Sequence, residues 1–488
     1  MKNITDYMKI KNMICKDSGT CKGLKELDTK YRHFDASLSN NVKRKVIESI
    51  LHSEKYVAKY RHLPFIEFPI TFNKYSRQKN RYKKERIISL PSHHDALLYK
   101  IYSKILSACY ENFLKDKGLQ KIPIAYRKNH SNITGAKEAI DRISSQSSWI
   151  IKGDFSNFFP SINHNVLIKN IKTVLRSVEG GKLSSDWITV LRSLMNYRYI
   201  TLKNIEKVLG DKSKVGNSYV KDLKELDALI KNRELKVSKK QRVGIPQGTA
   251  LSAVLANVYM IEFDEWVTNY LRTFDGFYRR YSDDFIIVIP ANLVDIHDIN
   301  TIKEKIIARS SRKLSLVIKK SKTDVYYFDN SPQINKGILR VNSRNNMLSK
   351  SELNYLGFSF DGKRVNLRPK TIYKFRYKGK RAVISLAENI YMYDKERNNK
   401  NKNLTRQEKF IKESVDKGYS IPKRSKYTRM YLVDRPINKR NFISYAYNAQ
   451  KIFSENSGNY EVNILKQARR QLGYLQRRFH KKRSDLSN

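Results

Sequence analysis

The sequence predicts an α+β fold in which an antiparallel sheet is backed by helices, and three stretches carry that expectation. Two short apolar runs meet at adjacent aspartates in Tyr278-Arg279-Arg280-Tyr281-Ser282-Asp283-Asp284-Phe285-Ile286-Ile287-Val288-Ile289, which reads as a hairpin turning at the acids. Trp149-Ile150-Ile151-Lys152-Gly153-Asp154-Phe155 reads as an apolar strand ending on a further acid. Gly244-Ile245-Pro246-Gln247-Gly248 reads as a rigid turn opening a helix with Leu251, Val254, Leu255, Val258 and Ile261 on one face.

Length and composition bound the rest. With 488 residues and a hydrophobic fraction of 40%, the chain can bury sizeable cores, which excludes a disordered tail protein. Lys plus Arg is 97 against 46 for Asp plus Glu, a net charge of +51. Such a charge repels itself in the compact state, and a polyanionic partner that screens it is the simplest account. The 31 Tyr and 20 Phe scattered among the cations add base stacking to backbone neutralisation, which favours nucleic acid over an acidic membrane surface. Cys15, Cys21 and Cys109 form neither a disulfide framework nor a zinc-knuckle spacing, so a reducing compartment is expected. No apolar run has the length of a membrane span and no signal segment is recognisable, so the expectation is a cytoplasmic protein with no membrane partner.

Along the chain, residues 1–60 read as a basic helical N-terminal extension, with Val42, Val46, Ile47, Ile50 and Leu51 on one face of a helix over 41–60. Pro64, Pro69 and the turn-rich 73–80 separate this from a strand over 86–91 and an amphipathic helix over 95–106, capped by Ser92 or Asp95. A second helix is expected over 133–143. Residues 165–240 alternate helical pattern with Lys-rich loops and read as an insertion between core elements. A helix over 301–311, a strand over 325–328 and a hairpin over 353–360 follow. From 369 the composition turns helical and strongly basic, interrupted by the low-complexity 398–403.

The acids carry the chemistry. Two adjacent carboxylates are costly wherever water is excluded, because like charges and burial both raise their pKa values, unless a cation sits among them. If Asp154 ends one strand and Asp283 tips a hairpin on its neighbour, the carboxylates converge on one face of an antiparallel sheet. That arrangement suits two divalent ions and in-line displacement at phosphorus. The plainer alternatives are a solvated hairpin tip for Asp283 and Asp284, a helix N-cap for Asp154, and a purely structural helix entry at 244–248.

Taken in order, these blocks resemble the reverse transcriptases, in particular the bacterial group related to retron and group II intron enzymes. Residues 244–259 look like that family's fourth block, Tyr281-Ser282-Asp283-Asp284 like its Tyr-x-Asp-Asp box, and Asp154-Phe155-Ser156-Asn157-Phe158-Phe159 like its first palm block. Residues 86–91 resemble the fingers block, Ala125-Tyr126-Arg127 the one after it, Lys322-Thr323 the sixth, and Tyr355-Leu356-Gly357-Phe358 the primer grip, so the resemblance covers about 60–365. It implies a right-hand polymerase: N-terminal extension 1–60, fingers 61–148, palm 149–365, and a helical basic thumb or C-terminal nucleic-acid-binding region 366–488.

The resemblance also implies roles. Asp154, Asp283 and Asp284 would be catalytic, holding two Mg²⁺ ions (Mn²⁺ as an admissible substitute) with help from the backbone carbonyl of Phe155. Lys322 would be the proton donor to pyrophosphate. Arg86 would pair with the triphosphate of a dNTP, and Phe158, Phe159, Gln247 and Gly248 would line the nucleotide pocket, the Phe159 ring excluding a 2′-hydroxyl; its plainer reading is core packing. Arg127, Arg279, Arg280, Tyr281, Leu356 and Gly357 would contact nucleic acid. The partners implied are an RNA template, dNTPs and the DNA product, and the resemblance also allows a homo-oligomer. No ribonuclease H, integrase or His-Asn-His segment is recognisable, nor a maturase in the tail, which points to a defence-associated, abortive-infection type with a companion noncoding RNA. A retron or group II intron-type enzyme of a mobile or satellite-DNA element, and a catalytically silent palm-fold RNA-binding scaffold, are the alternatives.

Overall fold

The computed structural model of this chain describes residues 2–76, 80–179, 183–210, 218–320, 323–331, 337–342, 345–396, 412, 415, 421, 423–434, 441–455 and 458–487. The elements run α1 (Lys2–Gly19), α2 (Cys21–Glu26), α3 (Asn40–His52), α4 (Glu54–Ala58), β1 (Phe65–Ser76), β2 (Asn80–Leu90), α5 (His93–Asp116), α6 (Asn132–Ser144), β3 (Ser148–Ser156), α7 (His164–Glu179), α8 (Ser185–Met195), β4 (Tyr199–Thr201), α9 (Leu202–Leu209), α10 (Leu223–Lys231), α11 (Ala250–Tyr259) and α12 (Ile261–Leu271). There follow β5 (Phe277–Tyr281), β6 (Asp284–Pro290), α13 (Ile296–Leu314), β7 (Val317–Ile318), β8 (Asp324–Asp329), β9 (Gly337–Val341), β10 (Leu348–Ser351), β11 (Leu353–Tyr355), β12 (Phe358–Phe360), β13 (Arg364–Leu367), α14 (Pro369–Glu396), α15 (Arg424–Tyr431), α16 (Phe442–Ser454), β14 (Glu461–Val462) and α17 (Ile464–Ser487). This is the expected α+β class. The low-complexity 398–403 lies outside the described residues.

Two compact units divide the chain: Met1–Asn129, Lys152–Phe285 and Asn300–Thr323 form the first, and His130–Ile151, Ile286–Ile299 and Asp324–Asn488 the second. The first holds β5, the 284–285 start of β6 and the 152–156 end of β3 with β7 paired on it, and a separate sheet ordered β2-β1-β4. Behind them α5 packs with α1, α7 and α11. Helix α5 starts where Ser92 Oγ accepts the Asp95 N–H at 3.0 Å, which settles the expected cap in favour of Ser92. Its Leu97, Leu98, Tyr99, Ile101, Ile105 and Leu106 are buried. The second holds the 148–151 start of β3, the 286–290 part of β6 and the strands β8, β9 and β10 in the order β10-β9-β8, and a four-stranded sheet ordered β11-β12-β13-β14. There α14 packs along α17, and α6 against α16.

Several expectations change. Residues 2–19 form a full helix, and the helix expected over 41–60 is two, because Ser53 ends α3 and caps α4 by accepting the Tyr56 N–H. Val42 is exposed although Ile47, Ile50 and Leu51 are buried. The described residues of the stretch read as turn-rich, 73–76 and 80, belong to a long antiparallel pair, β1 with β2, in which Pro69 faces Ile87. Proline is tolerated there because β4 flanks β1 only over Phe65–Glu67, leaving the rest of β1 with a single partner. The segment 165–240, expected as an insertion, is itself core over α7 and α8. Leu167, Ile171, Trp187, Val190 and Leu194 are fully buried, and β4 pairs in parallel with β1. Helices α9 and α10 contribute to a satellite core, with Ile205 and Leu226 packed around Phe34, Leu63 and Ile66.

The entry to α5 gathers histidines. Asp35 accepts the N–H groups of His93 and His94, filling two donors that the first helical turn leaves open. His62 Nδ1 lies 2.6 Å from the buried Asp95. His33 is fully buried, with Nδ1 3.6 Å from Asp35. Burial pushes its pKa down to about 4, against the pull of Asp35 and Asp95 and helped by His93. A histidine with a depressed pKa in the fold contributes stability that is present above its unfolded pKa of about 6.5 and lost as pH falls through 4. Urea unfolding should therefore show stability dropping by about 3 kcal/mol from this group between pH 6.5 and 4. A His33→Phe variant should flatten that window, and ring signals of His33 in NMR should remain those of the neutral form at pH 5.5.

Candidate active site

Strand β3 leaves its apolar run at Gly153 and places Asp154 and Phe155 beside the β5–β6 turn. The Phe155 N–H donates to the Asp283 carbonyl at 2.9 Å, so the Asp283 backbone, in the turn that leads into β6, lies beside β3, with Asp154 inside β3 and not at a helix N-cap. A side chain at Gly153 would put its Cβ 2.3 Å from the Phe285 ring, so only glycine lets β6 approach this closely. Strand β7 pairs on the other side, Ile318 opposite Phe155. Ser282 turns the hairpin at φ +58°, and Tyr126 (φ +62°) and Asn157 (φ +49°) are left-handed too. Conformations of this kind cost about 1–3 kcal/mol each and persist where the surroundings hold them. Tyr126 Oη sits 3.4 Å from Ser282 Oγ.

What holds the turn is a buried cation. Arg280 is fully buried; its Nε and Nη2 donate to the Asp264 carboxylate of α12 at 2.9 and 2.6 Å, and its Nη1 donates to Asn257 Oδ1 at 3.2 Å and to the Ser282 carbonyl at 3.1 Å. Tyr278 Oη donates to Asp264 at 2.8 Å, and Asn257 Nδ2 to the Ala125 carbonyl at 2.8 Å. Burial pulls the guanidinium down, but the charge and hydrogen bonds of Asp264 outweigh it and hold the pKa above the ordinary arginine value. One ion pair thus ties α11, α12, β5, the aspartate turn and the loop before Tyr126 together.

Most of the residues expected on the nucleotide side meet around the 244–248 loop. Gly244 (φ +81°) lies against Pro160, where a Cβ would come 2.6 Å from the Pro160 carbonyl oxygen. The Ile245 N–H donates to the Phe159 carbonyl at 3.1 Å. On the other side, the Ser89 N–H donates to the Gln247 carbonyl at 2.8 Å, and Gly248 (φ +135°) abuts Ser89 and the Ile88 side chain. Arg86 shares the strand face of Ile88 and is exposed, its guanidinium 5.9 Å from the Phe72 ring centroid. Arg86, Phe159, Gln247 and Gly248 are thereby assembled on one loop and its two neighbours, and Thr249 caps α11 by accepting the Ser252 N–H.

Other expected residues are placed differently. Phe158 is buried against Phe155 and Phe159, so its ring is core and does not line a nucleotide pocket. Arg280, Arg279 and Arg127 do not present their charge to nucleic acid. Arg280 is spent on Asp264. Arg279 is buried, stacked 4.2 Å over Phe277 and donating to the Tyr278 carbonyl. Arg127, with its side chain 3% exposed, chelates Glu111 at 2.7 and 2.6 Å and donates to the Gln120 and Pro123 carbonyls. A run of cations beside acids reads as an electrostatic surface, yet the residues of a strand alternate between faces and neither face of β5 opens to solvent at these positions. Tyr281 is half-buried, and burial, with Tyr126 and Asp284, raises its hydroxyl pKa. Leu356 and Gly357 lie in the second unit, where the Leu356 carbonyl accepts from Asn132 Nδ2 at 3.0 Å. Lys322 lies outside the described residues. Asp264 and Asn257 are the functional residues that the sequence reading missed. A buried acid in an apolar helix was their only signal.

Among the described residues no three His, Cys, Asp or Glu side chains are grouped closely enough to hold one ion. The fit rests on Asp154, Asp283 and the Phe155 carbonyl, hard oxygen donors on β3 and the turn beside it. Magnesium matches such a set, because it is usually held by one or two carboxylates and completed by substrate phosphates and water.

Removing either Arg280 or Asp264 alone, as Arg280→Met or Asp264→Leu, should destabilise the protein by about 3–5 kcal/mol, since each leaves a buried charge unpaired. The double variant should lose less than either single one in urea unfolding, and a simple sum of the two losses would show that the pair does not act as a unit.

A family model described as reverse transcriptase (RNA-dependent DNA polymerase) matches residues 77–360, more than half of the chain. A protein of Schizosaccharomyces pombe described as "Uncharacterized 91 kDa protein in cob intron" is 25% identical over 191 residues, 39% of this chain and 18% of that protein, so the chain spans under a fifth of its length. Among solved structures, apo telomerase from Candida tropicalis, truncated from the C-terminal domain, matches with TM-score 0.38 at 11% identity over 67% of this chain and 59% of that one. Telomerase from Candida albicans with a fragment of telomeric RNA matches with TM-score 0.38 at 11% identity over 86% and 64%. By the family model and the blocks it spans, the chain belongs to the reverse transcriptase family.

Proposed function

We propose that this protein is an RNA-directed DNA polymerase that extends a primer 3′-hydroxyl with dNTPs by two-metal phosphoryl transfer. The observation that supports the reading is the Phe155 N–H to Asp283 carbonyl bond, which brings the main chain of the Asp283–Asp284 turn beside that of Asp154 and Phe155. Asp154 and Asp283, with the Phe155 carbonyl, would hold Mg²⁺ or Mn²⁺, and Asp284 would add negative field. When bound, the ions lower the pKa of the attacking hydroxyl and neutralise charge on the departing pyrophosphate. Arg86, exposed on β2, has a planar fork suited to triphosphate oxygens. The half-buried Phe159 ring would fill the space beneath the sugar C2′, and the 244–248 loop would bound the pocket opposite.

The finer reading is a defence-associated enzyme that copies a companion noncoding RNA, working in the cytoplasm and able to form a homo-oligomer. It is supported by the net charge of +51. The similarity to a protein of a cob intron favours the second reading, an enzyme of a mobile intron-type element. Sequencing the RNA that co-purifies with the protein separates the two, because one expects a dedicated noncoding RNA and the other its own host transcript.

With Mg²⁺, dNTPs and a primed RNA template, the protein should make DNA. Asp283→Ala with Asp284→Ala should abolish synthesis while RNA binding persists with a steep salt dependence. Retained synthesis in that double variant would overturn the polymerase assignment. Replacing Phe159 by Ala should relax discrimination against ribonucleotides by about tenfold or more, read as the ratio of kcat/KM for dNTP and NTP.

A further inference from the structure

Helix α14 opens the basic tail with exposed aromatics. Residues 369–381 carry Lys370, Lys374, Arg376, Lys378, Lys380 and Arg381 and no acid. Tyr373 and Tyr377, one turn apart, are 69% and 48% exposed, with ring centroids 6.2 Å apart and planes 16° from parallel. One base between two rings takes up roughly 6.8 Å, twice the stacking rise of about 3.4 Å, so a small adjustment would open this pair around a base. At its foot lies a cavity of about 280 Å³ lined by Glu352, Ser359, Asn366, Tyr373, Arg376 and Gln471. Gln471 is one of the lining residues, and its Oε1 is buried with no hydrogen-bond partner among the described residues, the kind of orphan that a ligand or water normally satisfies. Arg376, held 4.0 Å over Tyr474, and Glu352, which accepts from Ser359 Oγ, add a donor and an acceptor.

We propose that this face is a binding site for single-stranded nucleic acid, in which the two tyrosines stack unpaired bases and the cavity receives the edge of one base at Gln471. The neighbouring lysines match a phosphodiester backbone, whereas duplex offers them phosphates but no open base faces. The choice of a nucleic-acid partner rests on the polymerase reading; the site rests on the exposed ring pair and the orphaned amide.

The test uses the full chain and fluorescence anisotropy with labelled RNA homopolymers and a blunt RNA duplex. Tyr373→Ala with Tyr377→Ala should weaken single-strand binding about tenfold or more, leaving duplex affinity and the salt slope unchanged because no charge is removed. Tyr373→Phe with Tyr377→Phe should bind as the parent does, and Gln471→Leu should alter the ranking of the homopolymers. Photo-crosslinking from 4-thiouridine RNA to Tyr373 in the unaltered chain should succeed, which reads the site without any substitution. Equal loss on duplex, a changed salt slope, an unchanged ranking in Gln471→Leu or no crosslink overturns the proposal. Primer extension is scored separately: its failure would overturn the polymerase reading and leave the binding result standing.

Discussion

The ion pair between Arg280 and Asp264 is the constraint on which the first unit turns. Two charges removed from water are costly, and their attraction repays the cost only when every remaining donor finds an acceptor. Here four of the five guanidinium N–H groups do: beside its bonds to Asp264, Arg280 donates to Asn257 and to the Ser282 carbonyl, and Asp264 accepts from Tyr278. The pair is a poor source of net stability compared with an apolar replacement, but it fixes a direction. The Ser282 carbonyl has to point at the guanidinium, and that sets a left-handed serine immediately before Asp283. The same network reaches Ala125 through Asn257, and so orders the loop that brings Tyr126 beside Ser282.

Close backbone approach does the remaining positioning. Gly153, Gly244 and Gly248 each stand where a Cβ would meet a neighbour at 2.3–2.6 Å: the Phe285 ring, the Pro160 carbonyl and the Ser89 carbonyl. The first brings β6 onto β3, and the other two clamp the 244–248 loop between the stretch after Phe159 and the end of β2. A loop held this way is defined by main chain, which moves little, and Arg86 and Phe159 are carried on elements whose spacing the glycines set.

Much of this was legible from residue order. Hydrophobic runs of the right length gave β3, β6 and α11, and Ser92 before an amphipathic run marked the start of α5. The β1–β2 pair was hidden by Pro69 and by a polar stretch that reads as turn. A strand with a partner on one side only can carry both. The helices α7 and α8 were read as an insertion because their loops are Lys-rich, although Leu167, Trp187 and Val190 are as buried as any residue in the unit.

By itself the sequence determined the α+β class, the order of the blocks, and the positions of Asp154, Asp283, Arg86 and the glycine turn. These depend on local pattern and on residue chemistry, which a single chain displays. Only the tertiary structure decided that Arg127, Arg279 and Arg280 face inward and that Phe158 is core while Phe159 is partly open. Whether a guanidinium meets a phosphate or a buried carboxylate depends on which distant residues pack over it. Asp264 lies 16 positions from Arg280, on another element, and no periodicity in the sequence announces that they meet.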